Sequence, residues 1–279
     1  MQKNFFFVNT YDCSDIAGDL DKMFNLLEEE NIKGLQIPYD NLTALDKEDF
    51  KKRLNESGVR LVCTHIVARL LSKDETVFES AINGCKRALE YINYFGCEYF
   101  MVVPFTPTDV EGFDDRPRAM QNFIKGLKII TEEAKKYGIK VIIENISQLI
   151  LPFSKIEDLE YILDNVKELG FCFDTGNFLC MGIDDTTEAF ERLKDRIEMV
   201  HIKELELCGV EGGLGCDSGR YVRHTDFGKG QTNLSVMLSK LYENNKDVPF
   251  IIEVQNGSPD LSWIKQASKY FDEFFGNRE

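Results

Sequence analysis

The sequence predicts a (β/α)8 barrel that takes up residues 1–279 as a single domain. Three observations lead there. Eight short apolar runs alternate with helical stretches, and strict alternation means parallel strands joined by crossover helices. The runs are continuously apolar, as expected of strands buried on both faces. The chain length is close to the ~250 residues usual for such a barrel. A doubly wound open sheet would place a glycine-rich phosphate loop after an early strand, and no G-x-G-x-x-G or Walker sequence stands there.

Taken in order, Phe5 to Val8 is a first strand, and Asp15 to Glu30 a helix with Ile16, Leu20, Met23, Phe24 and Leu27 on one face. Gly34 to Pro38 is the second strand, followed by a helix from Leu45 to Ser57 that Gly58 closes. Arg60 to His65 is the third strand, with a helix over Glu75 to Phe95 behind it. Tyr99 to Pro104 is the fourth, and Pro117 opens a helix that stops at Tyr137 before Gly138. Strands at Val141–Glu144, Phe171–Asp174 and Met199–Ile202 alternate with helices at Ile156–Val166 and Thr187–Ile197. A glycine-dense loop from Gly209 to Gly230 precedes a helix at Leu234–Asn244. The strand Phe250–Val254 and the helix Leu261–Phe275 close the series. Trp263, Tyr270, Phe271, Phe274 and Phe275 read as core or interface rather than as ligand contacts.

The composition is that of an ordinary globular chain, 43% hydrophobic and 29% charged, enough to bury a full core. A net charge of -15, from 33 Lys+Arg against 48 Asp+Glu, repels phosphate backbones and anionic lipid, which argues against nucleic-acid and membrane partners. No window is long and apolar enough to cross a membrane, and the start at Met1 has no signal-peptide pattern. The 8 cysteines are scattered without a Cys-x-x-Cys pair, so they read as reduced thiols of a cytoplasmic protein. Cys208 and Cys216 share the glycine-dense loop, where a disulfide or zinc clip is the alternative.

The chemistry lies at the strand ends. Val141-Ile142-Ile143 runs into Glu144, Phe171-Cys172-Phe173 into Asp174, Met199-Val200 into His201, and Phe250-Ile251-Ile252 into Glu253. In a barrel these ends lie on one arc of the face that carries active sites. Three carboxylates gathered there repel one another unless a cation sits between them. A single glutamate at a strand end is ordinarily a loop ion pair, and a single histidine there a satisfied rim residue; four such ends in consecutive strands point to a metal. Three oxygen donors and one imidazole suit a hard-to-borderline divalent ion, Mn²⁺ first, then Mg²⁺, Co²⁺ or Zn²⁺. The chain's three histidines, His65, His201 and His224, all map to this face. Lys203, Arg220, Arg223 and His224 border the mouth as candidate contacts for hydroxyls or a phosphate. His65 is a candidate to touch substrate or to orient a metal ligand.

The Ile-Glu-Asn at Glu144, Phe-Asp-Thr-Gly-Asn at Asp174, His-Ile-Lys-Glu at His201, His-x-x-x-Gly-x-Gly from His224 and Ile-Glu-Val at Glu253 resemble those of the xylose isomerase-like TIM barrels. That superfamily holds sugar and sugar-phosphate isomerases and epimerases, inosose dehydratases and endonuclease IV repair enzymes. The resemblance implies a single-metal site of Glu144, Asp174, His201 and Glu253, with Glu144 and Glu253 as the catalytic acid/base pair. It implies proton abstraction next to a carbonyl through a metal-stabilised enediolate, on a sugar or sugar phosphate. A keto-sugar or cyclitol dehydratase and a non-catalytic sugar-binding barrel are the alternatives, and a homo-oligomer follows by analogy. Where many relatives carry a histidine this chain has Asn177, which suits a hydrogen bond to a sugar hydroxyl. Val222 stands where the repair enzymes carry an aspartate, and no histidine follows strand four. A three-zinc repair site is therefore not expected.

Overall fold

Hydrogen bonds close eight parallel strands into a ring in the computed structural model, which describes residues 5–8, 19–104, 107–244, 247–253 and 262–276. The ring strands are β1 (Phe5–Val8), β2 (Gly34–Pro38), β3 (Arg60–Val67), β4 (Tyr99–Val103), β5 (Lys140–Glu144), β6 (Gly170–Asp174) and β7 (Ile197–Ile202). Three strands outside the ring follow, β8 (Leu205–Leu207), β9 (Leu214–Gly215) and β10 (Tyr221–His224), before β11 (Phe250–Ile252) re-enters it. Closure is made by β1, which pairs with β2 on one side and β11 on the other. The barrel expected from the alternation of elements is thus observed.

Helices pack around the ring: α1 (Leu20–Glu29), α2 (Tyr39–Ala44), α3 (Lys47–Ser57), α4 (Glu75–Asn93) and α5 (Arg116–Ala134) in the first half. In the second half are α6 (Ile156–Asn165), α7 (Thr175–Cys180), α8 (Thr187–Leu193), α9 (Leu234–Glu243) and α10 (Ser262–Gly276). Aspartates set several starts: Asp19, Asp46 and Asp74 each accept a backbone N–H of the following first turn. Gly58 closes α3 at φ 68°, a left-handed conformation that costs a side-chain-bearing residue more.

The sequence reading and the structure differ in several places. The helix expected over Leu45–Ser57 is α3, which begins at Lys47 because Leu45 is extended and Asp46 caps the first turn, and the short α2 before it was not expected. Ile197, expected to end a helix, begins β7, and β3 runs two residues past His65 to Val67. The loop expected over Gly209 to Gly230 contains β9 and β10, which form an antiparallel sheet of order β8-β10-β9 with β8 just before the loop. Asp174 is followed at once by α7, whose six residues are all buried. Residues 15–18 of the first expected helix, with Ile16, and Val254 and Leu261 fall outside the described residues. Trp263, Phe271 and Phe275 are core residues, as expected.

The cysteines outside the masked stretches are free thiols. Cys208 and Cys216 are both free thiols, so the disulfide alternative is not observed; their N–H groups donate to the carbonyls of Tyr221 and Arg220 at the start of β10. Among the described residues no helix is long and apolar enough to cross a membrane.

One arginine ties the ring to its helical layer just before β7. Arg196 donates to the carbonyls of Leu163, Val166, Lys167 and Leu169, the end of α6 and the turn into β6. Removing a charged donor that serves part-buried carbonyls costs about 1.5–3 kcal/mol. Arg196→Met is therefore expected to lower the urea unfolding free energy by about 2 kcal/mol, with the circular dichroism spectrum unchanged.

Candidate metal centre

Strand register brings the four strand-end residues together. Asp174 on β6 stands beside His201 on β7, and Ile251 of β11 stands on the other side of His201. The chain continues from β11 with the Glu253 N–H on the Ile202 carbonyl, which keeps Glu253 in the same row. Glu144 ends β5, paired with Cys172 two residues before Asp174. Side chains alternate across a strand, so Cys172 and Asp174 share a face, as do His201 and Lys203.

One donor atom from each of Glu144, Asp174, His201 and Glu253 lies within 4.8 Å of the others. His201 Nδ1 is 3.2 Å from Glu144 Oε2, 3.0 Å from Glu253 Oε2 and 3.9 Å from Asp174 Oδ2. Asp174 and His201 are buried at the floor, 0% and 2% exposed, whereas Glu144 and Glu253 keep 14% and 16% of their side chains open to the mouth. Among the described residues this is the one group of three or more His, Cys, Asp or Glu placed to hold a metal ion.

Asp174 is held by two asparagines. Its backbone N–H donates to Asn145 Oδ1 at 2.9 Å, and its carbonyl accepts from Asn145 Nδ2 at 3.0 Å. Its Oδ1 caps α7 by accepting the Asn177 N–H at 2.7 Å, which leaves Oδ2 facing the cluster. Asn177 donates to the Asn145 carbonyl through Nδ2, so this candidate substrate contact is engaged within the protein.

Lys203 lies inside the cluster, not at its rim. It is buried, with Nζ 3.0 Å from Asp174 Oδ2 and 3.1 Å from Glu253 Oε1. Gly176 makes room for it: a Cβ there would lie 2.8 Å from the Lys203 stem. Burial opposes charge on this ammonium, but Asp174, Glu253 and Glu144 outweigh it and hold its pKa above the usual lysine value. Burial also pushes Asp174 up, to about 6, with Lys203 acting against it. For Glu253 burial is outweighed by Lys203 and His201, and its carboxyl sits well below the usual range. His201 is raised by Cys172, Glu144 and Glu253 despite its burial.

His65 and His201 are joined through Gln36, a buried residue of β2 that sequence reasoning did not single out. Gln36 Oε1 is 3.1 Å from His201 Nε2, and Gln36 Nε2 is 3.2 Å from His65 Nδ1. Burial lowers the His65 pKa. His224, on β10, is pushed down to about 4 by burial and by Lys203. Arg220 pairs with Asp184, and Arg223 of β10 with Glu206 of β8. Glu204, also passed over, is buried beside Lys203 and accepts from Gly228 N–H and Thr232 Oγ1, which fixes the loop after β10.

The donor set fits a divalent cation. Asp174 Oδ2 and His201 Nδ1 are buried and accept or donate no well-directed hydrogen bond, although Lys203 Nζ is near the former. Buried polar atoms are ordinarily paired, and a cation between them would satisfy both.

The closed parallel ring agrees with the family to which the chain belongs: the xylose isomerase-like TIM barrel pattern matches residues 22–274. A curated relative, the uncharacterized protein MJ1614 of Methanocaldococcus jannaschii, is 25% identical over 146 residues, 52% of this chain. The chain spans about half of that relative's length, 51%. Among solved structures, the IOLI protein with a bound zinc atom superposes with a TM-score of 0.79 at 17% identity over 99% of both chains. A D-tagatose 3-epimerase-like protein does so at 0.75 and 20% identity, again over 99% of both. Other barrels of this shape include sugar epimerases and a probable dehydratase. At these identities the solved structures share the fold.

Removing one member of a buried ion pair strands its partners, at about 3–5 kcal/mol. Lys203→Met is expected to lower the stability of the metal-free protein by about that amount and to enlarge the rise in melting temperature on adding Mn²⁺. Thermal scans with EDTA and with Mn²⁺ measure both.

Proposed function

We propose that this chain is a divalent-metal-dependent sugar isomerase or epimerase. The observation that carries the reading is the convergence of Glu144, Asp174, His201 and Glu253, with only the two glutamates open to the mouth. Those four residues would hold the cation, and three oxygen donors with one nitrogen would favour Mn²⁺. A divalent ion supplies Lewis acidity to a carbonyl oxygen and so acidifies the neighbouring C–H.

The chain's own groups do the rest. Asp174 and His201, buried at the floor, would position the ion. Glu144 and Glu253 flank His201 from β5 and β11, so a sugar carbon above the cluster meets a carboxylate on each side. One takes the proton and the other returns it, which inverts the carbon; return to the adjacent carbon isomerises the sugar. Lys203 next to Glu253 holds that carboxylate ionised, as a proton acceptor requires.

Charge narrows the substrate to an unphosphorylated sugar. Three carboxylates, one ammonium and a divalent cation sum to zero, which favours a neutral ligand over a dianion. Arg220 and Arg223 are already paired with carboxylates.

Lys203 also supports a second reading. An ammonium beside the acid/base pair can assist loss of a hydroxyl, so a dehydratase would share the first proton transfer and release an enone.

Incubation with Mn²⁺ and a panel of ketoses and ketose phosphates in D₂O is expected to place deuterium at the carbon next to the carbonyl of an unphosphorylated ketose. Glu144→Gln and Glu253→Gln are each expected to slow that exchange by about 10²–10⁴-fold. No exchange with any member of the panel would count against the reading, and an unsaturated product would favour the dehydratase.

A further inference from the structure

Gln36 sits inside the barrel with 1% of its surface exposed and bridges two histidines of distant strands. A buried primary amide has to satisfy an acceptor and a donor end, and each end admits one kind of partner. The carbonyl Oε1 can only accept, so the His201 Nε2 it faces carries a proton. The amide Nε2 can only donate, so the His65 Nδ1 it faces is unprotonated and the His65 proton is on Nε2. With the Nε2 proton of His201 committed, the lone pair of a neutral His201 is on Nδ1, the atom that points at Glu144, Glu253 and Asp174. Turning the amide over would reverse every assignment: His201 would carry its proton on Nδ1 and present no lone pair to the cluster.

We propose that Gln36 is a positioning residue for the metal centre, selecting the His201 tautomer whose Nδ1 can bind a divalent cation, and that His65 holds the Gln36 amide in the required orientation. The proposal rests on the metal reading given above, but not on any sugar chemistry. It places a determinant of metal binding on β2, across the ring from the four ligands. The burial that keeps water from Gln36 also denies the amide any other partner, so its orientation depends on the two imidazoles.

The test uses the full-length protein and Zn²⁺ alone, with affinity measured by competition against a chromogenic chelator. Loss of a partner that orients a metal-binding histidine costs about 10- to 100-fold in affinity. Gln36→Leu is expected to weaken Zn²⁺ binding by that factor, whereas Gln36→Glu, which keeps an acceptor for His201, is expected to stay within about threefold of the unaltered protein. A Gln36→Leu protein that is folded and binds Zn²⁺ as tightly as the unaltered chain would overturn the proposal. A second readout needs no variant: with only three histidines, a long-range ¹H–¹⁵N spectrum of the Zn²⁺-loaded protein resolves each ring. A His201 signal with the proton on Nε2 and the metal on Nδ1 supports the proposal, and metal on Nε2 overturns it. Tight Zn²⁺ binding with the expected tautomer but no deuterium exchange into any sugar would sink the isomerase reading and leave this one standing.

Discussion

The mutual repulsion of Glu144, Asp174 and Glu253 is the constraint around which the rest is arranged. Three carboxylates brought within 4.8 Å of one imidazole nitrogen cannot all stay ionised in a dry floor without positive charge nearby. Lys203 supplies part of it from within, reaching Asp174 and Glu253 from the same strand that carries His201. Gly176 exists at the start of α7 because the lysine stem needs the space that a Cβ would fill. Asn145 in turn clamps the Asp174 backbone so that one carboxylate oxygen caps the helix and the other faces its neighbours.

Much of this was legible in the chain. The ring strands are continuous apolar runs, and burial on both faces is what a closed parallel barrel demands of them. Glu144, Asp174, His201 and Glu253 could be picked out because each ends such a run, and strand ends share one face whatever the loops do. The rest depends on contacts that no local pattern encodes. Gln36 interrupts Leu35 and Ile37 as any polar residue might, and only the folded ring reveals two histidines at its ends. The reach of Arg220 to Asp184 spans 36 positions, and that of Arg223 to Glu206 spans 17, so both arginines read as free loop cations in one dimension. The α7 helix and the β8-β10-β9 sheet were missed because each element is only a few residues long, too short to complete a periodic signal.

The cluster is graded in exposure. Its floor residues are sealed, while the two glutamates retain a little surface at the mouth. The outer loops add a second tier of order: Glu204, next in sequence to Lys203, turns away from the cluster and grips Gly228 and Thr232. Neighbouring residues of β7 and its extension thus secure the ligand set on one side and the loop after β10 on the other.

The Gln36–His201 contact joins positions 165 residues apart. During synthesis, the aspartate, the imidazole and Glu144 emerge long after β2 has left the ribosome, and Glu253 later still. On the metal reading proposed above, a truncated or half-assembled chain holds loose acidic groups but no seated imidazole, and has little means to scavenge ions before the circle of strands is complete.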